Sequence, residues 1–201
     1  MGDPKEDEIC GLASCGNLQA AATLAIRTYG AELFGFLISL HRNEADADDV
    51  FAAAAERVWQ SLGEFRWECS LRTWMYAVCR NESLRFHDRL KRREGKCAAE
   101  SAASEIAAQV RTATLPYLKT AVRTAFTELR ETLDAEDRTI LVLRLDRGLA
   151  WDELARVLGD EKESASEEVL KRESARLRKR FEAIKRRLTI LARERGLLET
   201  Q

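Results

Sequence analysis

One segment near the C-terminal end limits the architecture more than any other. Leu170, Leu177, Phe181, Ile184, Leu188 and Leu191 recur at intervals of seven, four, three, four and three residues, the spacing of an α-helix with a single apolar stripe. On that helix Arg172, Arg176, Lys179, Glu182, Ala183 and Arg186 fall away from the stripe formed by Leu177, Phe181, Ile184 and Leu188. From Lys171 to Arg195 there are eleven basic residues against three acidic ones, in a chain whose net charge is −1. A nearly neutral protein that gathers cations on one amphipathic helix has a surface suited to a polyanion, because each neutralised phosphate releases condensed counterions. The apolar stripe reads as core or as a short coiled-coil seam. The polar side reads as a solvated face or, from its sign bias, as a DNA contact that holds phosphates or reaches base edges in the major groove.

The remainder of the chain is compatible with an all-α protein. Among 201 residues there are only two prolines and ten glycines, alanine, leucine, arginine and glutamate are abundant, and no sustained β-branched alternation marks a sheet. With 45% hydrophobic and 33% charged residues, the composition is that of a soluble globular protein of one medium or two small domains. The beginning Met1-Gly-Asp-Pro-Lys-Glu-Asp-Glu is too acidic and polar for the start of a secretory signal. No apolar run approaches the ~18 residues of a membrane span, so a cytoplasmic protein without a span is expected. Cys10, Cys15, Cys69, Cys79 and Cys97 are odd in number and irregular in spacing, which argues against a disulfide framework. Cys10 and Cys15 could pair or help bind a metal, but His41 and His87 complete no recognisable ligand spacing. No metal and no cofactor is expected.

Two helical modules and a linker follow from the distribution of residue types. Residues 18–94 carry most of the aromatics; residues 95–115 shift to alanine, serine and threonine, the composition of a flexible linker; and residues 116–198 form a second helical block. In the second block Asp134-Ala-Glu-Asp is a helix N-cap pattern, and Ile140, Leu141, Leu143 and Leu145 supply a helix that stops at Gly148. A short helix from about Ala150 to Leu158 places Leu154, Ala155 and Leu158 on one face and ends at Gly159. With the basic helix after it, this is the plan of a helix-turn-helix. The acidic stretch Asp160 to Glu168 exceeds the motif's roughly three- to four-residue turn. It reads as an insertion or an extension of the last helix, and by charge complementarity could fold back on it.

Two stretches in the first block make the reading sharper. One runs from Glu44 through Asp48, Asp49, Ala52, Ala53 and Glu56 to Trp59; the other runs from Phe65-Arg-Trp-Glu-Cys-Ser-Leu-Arg-Thr-Trp74 to Asn81 and is followed by Arg85, Arg89, Lys91, Arg92 and Arg93. Together they resemble region two of bacterial sigma factors of the extracytoplasmic-function group. The second block resembles region four of the same group, through LDAEDRTILVLRLDRGLAWDELARVLG and LRKRFEAIKRRL. An aromatic loop beside a cationic helix suits a melted strand, whose unstacked bases pack on aromatic walls while arginine holds the backbone. The resemblance implies that Phe65, Arg66, Trp67 and Arg72, with Asn81 and Arg85 nearby, bind the melted minus-ten element. It also implies that Trp74 is core, as Trp59 reads to be, and that Arg176, Lys179, Glu182, Ala183 and Arg186, on the face that also holds Arg172, read the duplex minus-thirty-five element.

On the helix that contains Asp49, the residues Ala52, Ala53 and Glu56 share its side, while Phe51, Val58 and Leu62 turn towards a core. The resemblance implies that this outward face, Asp48, Asp49, Ala52, Ala53 and Glu56, docks on core RNA polymerase. The family usually has glutamine and glutamate where this chain has Ala52 and Ala53. A solvated acidic helix start is the simpler reading of the same acids. The expected function is a sigma factor that directs polymerase to promoters, regulated by an anti-sigma protein and catalysing nothing itself. The alternative is a helix-turn-helix regulator that acts without polymerase. A metal-dependent hydrolase using Asp46, Asp48 and Asp49 is disfavoured, since no nucleophile and base, phosphate loop or paired histidines accompany them.

Overall fold

The computed structural model describes residues 4–41, 43–91, 102–119, 125–159 and 166–197. Among them there are nine α-helices and no strand, as the composition leads one to expect. The chain divides into two units, Met1–Leu118 and Lys119–Gln201.

The first unit begins with α1 (Pro4–Ser14), followed by α2 (Leu18–Leu40), α3 (Glu44–Ser61) and α4 (Leu71–Lys91). Side-chain caps start two of these: Asn17 Oδ1 accepts the Ala20 N–H at 3.3 Å and Asn43 Oδ1 accepts the Ala45 N–H at 3.0 Å. Glu44 and Asp46 in the first turn of α3 add favourable charge at the positive end of its dipole. α2 is the centre of the unit, packing against α1, α3 and α4. It has the length and apolar composition to cross a membrane, although Arg27 and Glu32 interrupt its apolar residues. Eleven of its residues, including Ile26, Leu33, Phe34, Phe36 and Leu37, are buried inside the unit. The aromatics interlock: Phe34 and Phe51 have ring centroids 5.3 Å apart, and Phe36 meets Tyr76 edge-on at 5.3 Å, the tilted geometries that aromatic quadrupoles favour. Phe51, Val58 and Leu62 are buried, as their period requires.

Of residues 95–115, for which a linker is expected, those from 102 onward belong to α5 (Ala102–Lys119). Ala103, Ile106 and Ala107 on α5 are buried; residues 95–101 lie outside the described ones.

The second unit comprises α6 (Ala125–Glu131), α7 (Ala135–Leu141), a π-helical turn over Val142–Asp146, α8 (Trp151–Leu158) and α9 (Glu167–Glu194). Asp134 caps α7 by accepting the Asp137 N–H at 2.7 Å. The turn ends at Gly148 with φ +68°, a left-handed conformation that costs glycine least. Ile140, Leu141 and Leu143 are buried, whereas Leu145 is exposed, because the helical path widens before it and re-aims the following side chains. In α8 the buried residues are Leu154, Ala155 and Val157; Leu158, expected on that face, is half-buried. Arg138 is buried with Nη2 donating to the carbonyl of Leu133 at 3.0 Å and of Glu131 at 3.3 Å, so its charge satisfies carbonyls left open at the end of α6. Arg180 of α9 reaches Glu136 at 2.7 Å and Asp137 at 2.6 Å, fastening the long helix to the start of α7.

Candidate nucleic-acid interface

The loop between α3 and α4 brings the first unit's expected contacts together. A short 3-10 turn over Leu62–Glu64 delivers Phe65, and Ser70 starts α4 by accepting the Thr73 N–H on its hydroxyl at 3.1 Å. Between them Trp67 has φ +58°. A bulky residue in the left-handed region stores strain, which is characteristic of sites where side-chain placement matters more than local stability. The result is an aromatic wall: Phe65 lies 4.9 Å from Trp67 and stacks on Trp74 at 4.9 Å with 28° between planes. All three rings are half-exposed. Trp74, expected in the core, is therefore part of this surface; the sequence signal was only its position at the head of α4. Trp59 is likewise half-exposed.

Helical geometry continues the wall along α4. Asn81 and Arg85 lie seven and eleven residues after Trp74, within ~20° of it around the axis. The Asn81 side-chain Nδ2 is buried with no hydrogen-bond partner among the described residues, a donor whose unmet demand is costly. Arg85 pairs with Glu82 on its own helix. Arg72 does not join this face, because it precedes Trp74 by two residues and so points roughly 160° away. Its guanidinium instead makes two bonds to Glu32 of α2, at 2.7 and 3.1 Å, and lies over the Tyr76 ring at 5.3 Å. A charge held in a bidentate pair is a structural clamp first. Arg66 stands at the loop tip with a 74% exposed side chain, 3.9 Å from Glu68.

On α3, Asp49 is exposed and Asp48, Ala52, Ala53 and Glu56 are half-exposed, so the five residues form one accessible face. Glu56 accepts from Gln60 at 2.7 Å. Asp48 is bonded to Arg111 of α5, a partner 63 residues away that no local pattern reveals. Burial pushes the Asp48 carboxyl above the usual carboxylate range despite the opposing pull of Arg111.

In the second unit α9 separates its faces as the period predicts. Leu170, Leu177, Phe181 and Ile184 are buried and Leu188 is half-buried, while Arg172, Arg176, Lys179, Glu182, Ala183 and Arg186 are all exposed. Arg176 and Arg172 have Glu173 beside them, at 2.8 and 4.0 Å, and Lys185 has Glu182 at 2.7 Å. Lys179 and Arg186 have no ion pair among the described residues. A helix bearing such a stripe fits a major groove about 12 Å wide. Trp151 at the start of α8 packs edge-on against Phe181 at 5.4 Å under the guanidinium of Arg144, bracing α8 on α9. Residues 160–165, most of the acidic insertion, lie outside the described residues; Glu167 and Glu168 are exposed in the first turn of α9.

Comparison with known proteins bears on the first unit. Residues 25–93 match the Sigma-70 region 2 family, a span that holds the aromatic wall and the α3 face. No curated protein matches the chain. Among solved structures, the sigma factor RpoE from Bartonella quintana, in complex with the anti-sigma factor NepR, is similar over 77% of this chain and 90% of its own, with 18% sequence identity and a TM-score of 0.45. The match spans most of α2, α3, the Phe65–Ser70 loop and α4, so residues 25–93 of this chain form a sigma-70 region 2 domain.

Proposed function

We propose that the chain is a sigma factor of the extracytoplasmic-function type, which binds core RNA polymerase and directs promoter recognition and transcription initiation. The observation that carries this reading is the coincidence, within residues 25–93, of the region 2 match with a half-exposed wall of Phe65, Trp67 and Trp74. Such a wall favours unstacked bases over duplex, because only a melted base offers its face for stacking. Asn81 and Arg85 on the same side of α4 supply hydrogen-bonding and charge, and Arg66 holds backbone phosphate at the loop tip. In this reading the exposed stripe of α9 acts as region four, entering the major groove of the minus-thirty-five element through Arg172, Arg176, Lys179, Glu182, Ala183 and Arg186. Asp48, Asp49, Ala52, Ala53 and Glu56 form the polymerase contact. The protein works in the cytoplasm, performs no chemistry of its own, and is held in check by an anti-sigma protein.

A second reading, a DNA-binding regulator acting without polymerase, draws support from Ala52 and Ala53, which place methyl groups on the accessible α3 face where a docking surface needs polar anchors. One experiment separates the two. Purified protein is mixed with core RNA polymerase from its own source, and the mixture is tested for co-elution and for transcription from a library of genomic promoters. Binding with initiation establishes the sigma role and yields the promoter sequence; DNA binding with no polymerase contact establishes the regulator.

A further inference from the structure

The start of α5 is built to lie on the first unit. Ala103, Ile106 and Ala107 are buried and Val110 follows at the next helical repeat, so four apolar residues recur at i, i+3, i+4 and i+7. Val110 meets α2 at Gly30: a Cβ added there would stand 2.8 Å from Val110 Cγ1 and 3.3 Å from Phe51 Cζ. Glycine in the middle of a helix weakens it, and here the missing side chain is the notch that receives Val110. One residue further, Arg111 bonds the carboxylate of Asp48 on α3. A knob in a notch and a charge pair thus hold α5 to α2 and α3.

That contact takes one of the acids of the proposed polymerase-docking face. The hold is light. Arg111 and Asp48 keep 35% and 29% of their side chains exposed, and pairs of that exposure contribute little to stability. The apolar contribution comes from two alanines, an isoleucine and a valine, far less than the roughly 1,200–2,000 Å² of a stable protein interface. Segments with little buried apolar surface are the ones that open first.

We propose that α5 is an internal occupant of the docking face: packed on α2 and α3 in the free protein, it engages Asp48 and must lift away when core RNA polymerase binds α3. This inference rests on the polymerase reading of the α3 face. It makes apparent affinity lower than intrinsic affinity by the fraction of molecules in which α5 is released.

The test titrates the labelled full chain with core RNA polymerase. Gly30→Ala fills the notch while favouring the helix, and Arg111→Ala removes the ion pair; both variants are checked for unchanged helix content. Each is expected to tighten polymerase binding, and together by about 10-fold if release costs the free protein that much. Amide exchange over residues 102–112 is expected to accelerate in the complex relative to the free protein. Equal affinity of wild type and both variants, or protection over 102–112 that persists in the complex, overturns the inference and leaves the polymerase reading standing. No binding by wild type or variants overturns both.

Discussion

In the first unit, Arg72, Arg85 and Arg111 each hold a carboxylate of their own unit, whereas in the second Lys179 and Arg186 stand on an exposed helix face with no ion pair among the described residues. The first surface therefore offers shape: three rings, a strained backbone at Trp67 and a buried amide at Asn81. The second offers field, a row of cations on a helix of 28 residues. Shape is suited to a melted strand, whose bases have exposed faces; field is suited to a duplex, whose phosphates are its most accessible feature. The two should respond differently to salt, to mutation and to pH.

The strongest way to break the comparison is to remove one surface and leave the other. Phe36 is fully buried between α2 and the Tyr76 ring of α4, and Phe36→Ala should cost ~3–5 kcal/mol, a large part of a small domain's stability. Denaturant titration should show the first unit unfolding early while duplex binding by the second persists. If duplex binding disappears in parallel, the surfaces are not separable. Trp67→Ala should come next, weakening binding of a single-stranded oligonucleotide by ~1–3 kcal/mol with little change in duplex affinity. An unchanged single-strand Kd would remove the aromatic wall from the mechanism.

The field-dependent surface is sharpened by salt. For Lys179→Gln combined with Arg186→Gln, the slope of log K against log salt for duplex DNA should flatten by about 1.8, at ~0.9 for each phosphate no longer neutralised; a slope equal to wild type places both cations away from the backbone. The smallest effect concerns pH. His41 is buried, stacks on His87 at 5.1 Å and shares a 2.9 Å hydrogen bond with Ser83. Burial first, and then the neighbouring His87, lower its pKa, with Asp46 opposing. The neutral form is favoured in the folded state, so this contribution to stability is complete above the ordinary histidine value of about 6.5 and is lost as pH falls through the lowered folded value. Thermal melts between pH 7.5 and pH 5 should show the first unit losing stability, with a shallower loss in His41→Gln.

Much of this was legible from local pattern. The period of Leu177, Phe181 and Ile184 predicts which side of α9 is buried, and the same argument places Phe51, Val58 and Leu62 inside and Asp49 outside. Asp134 caps α7 as its position before an apolar run implies. These succeed because helix geometry couples residues only three or four apart. Where the chain departs from regular helix, pattern misleads: Leu145 is exposed because a π-helical turn intervenes, and Leu158 yields its place to Val157. Arg72 illustrates a different limit. Its residue type and neighbourhood suit nucleic acid, but Glu32, 40 residues earlier, claims its charge, and nothing near Arg72 announces that partner.

The all-helical character, the two blocks, the amphipathic last helix and the aromatic loop were determined by sequence alone, because each depends on residue type and on spacing within a few turns. Tertiary structure decided which charges are spent and which remain available. It turned Arg72 inward onto Glu32, joined Arg111 to Asp48, seated Val110 in the notch at Gly30, and brought Trp74 out beside Phe65 and Trp67. Each of these is a meeting of residues on different elements, and the energy of such a meeting depends on a distance through space that the order of residues does not contain.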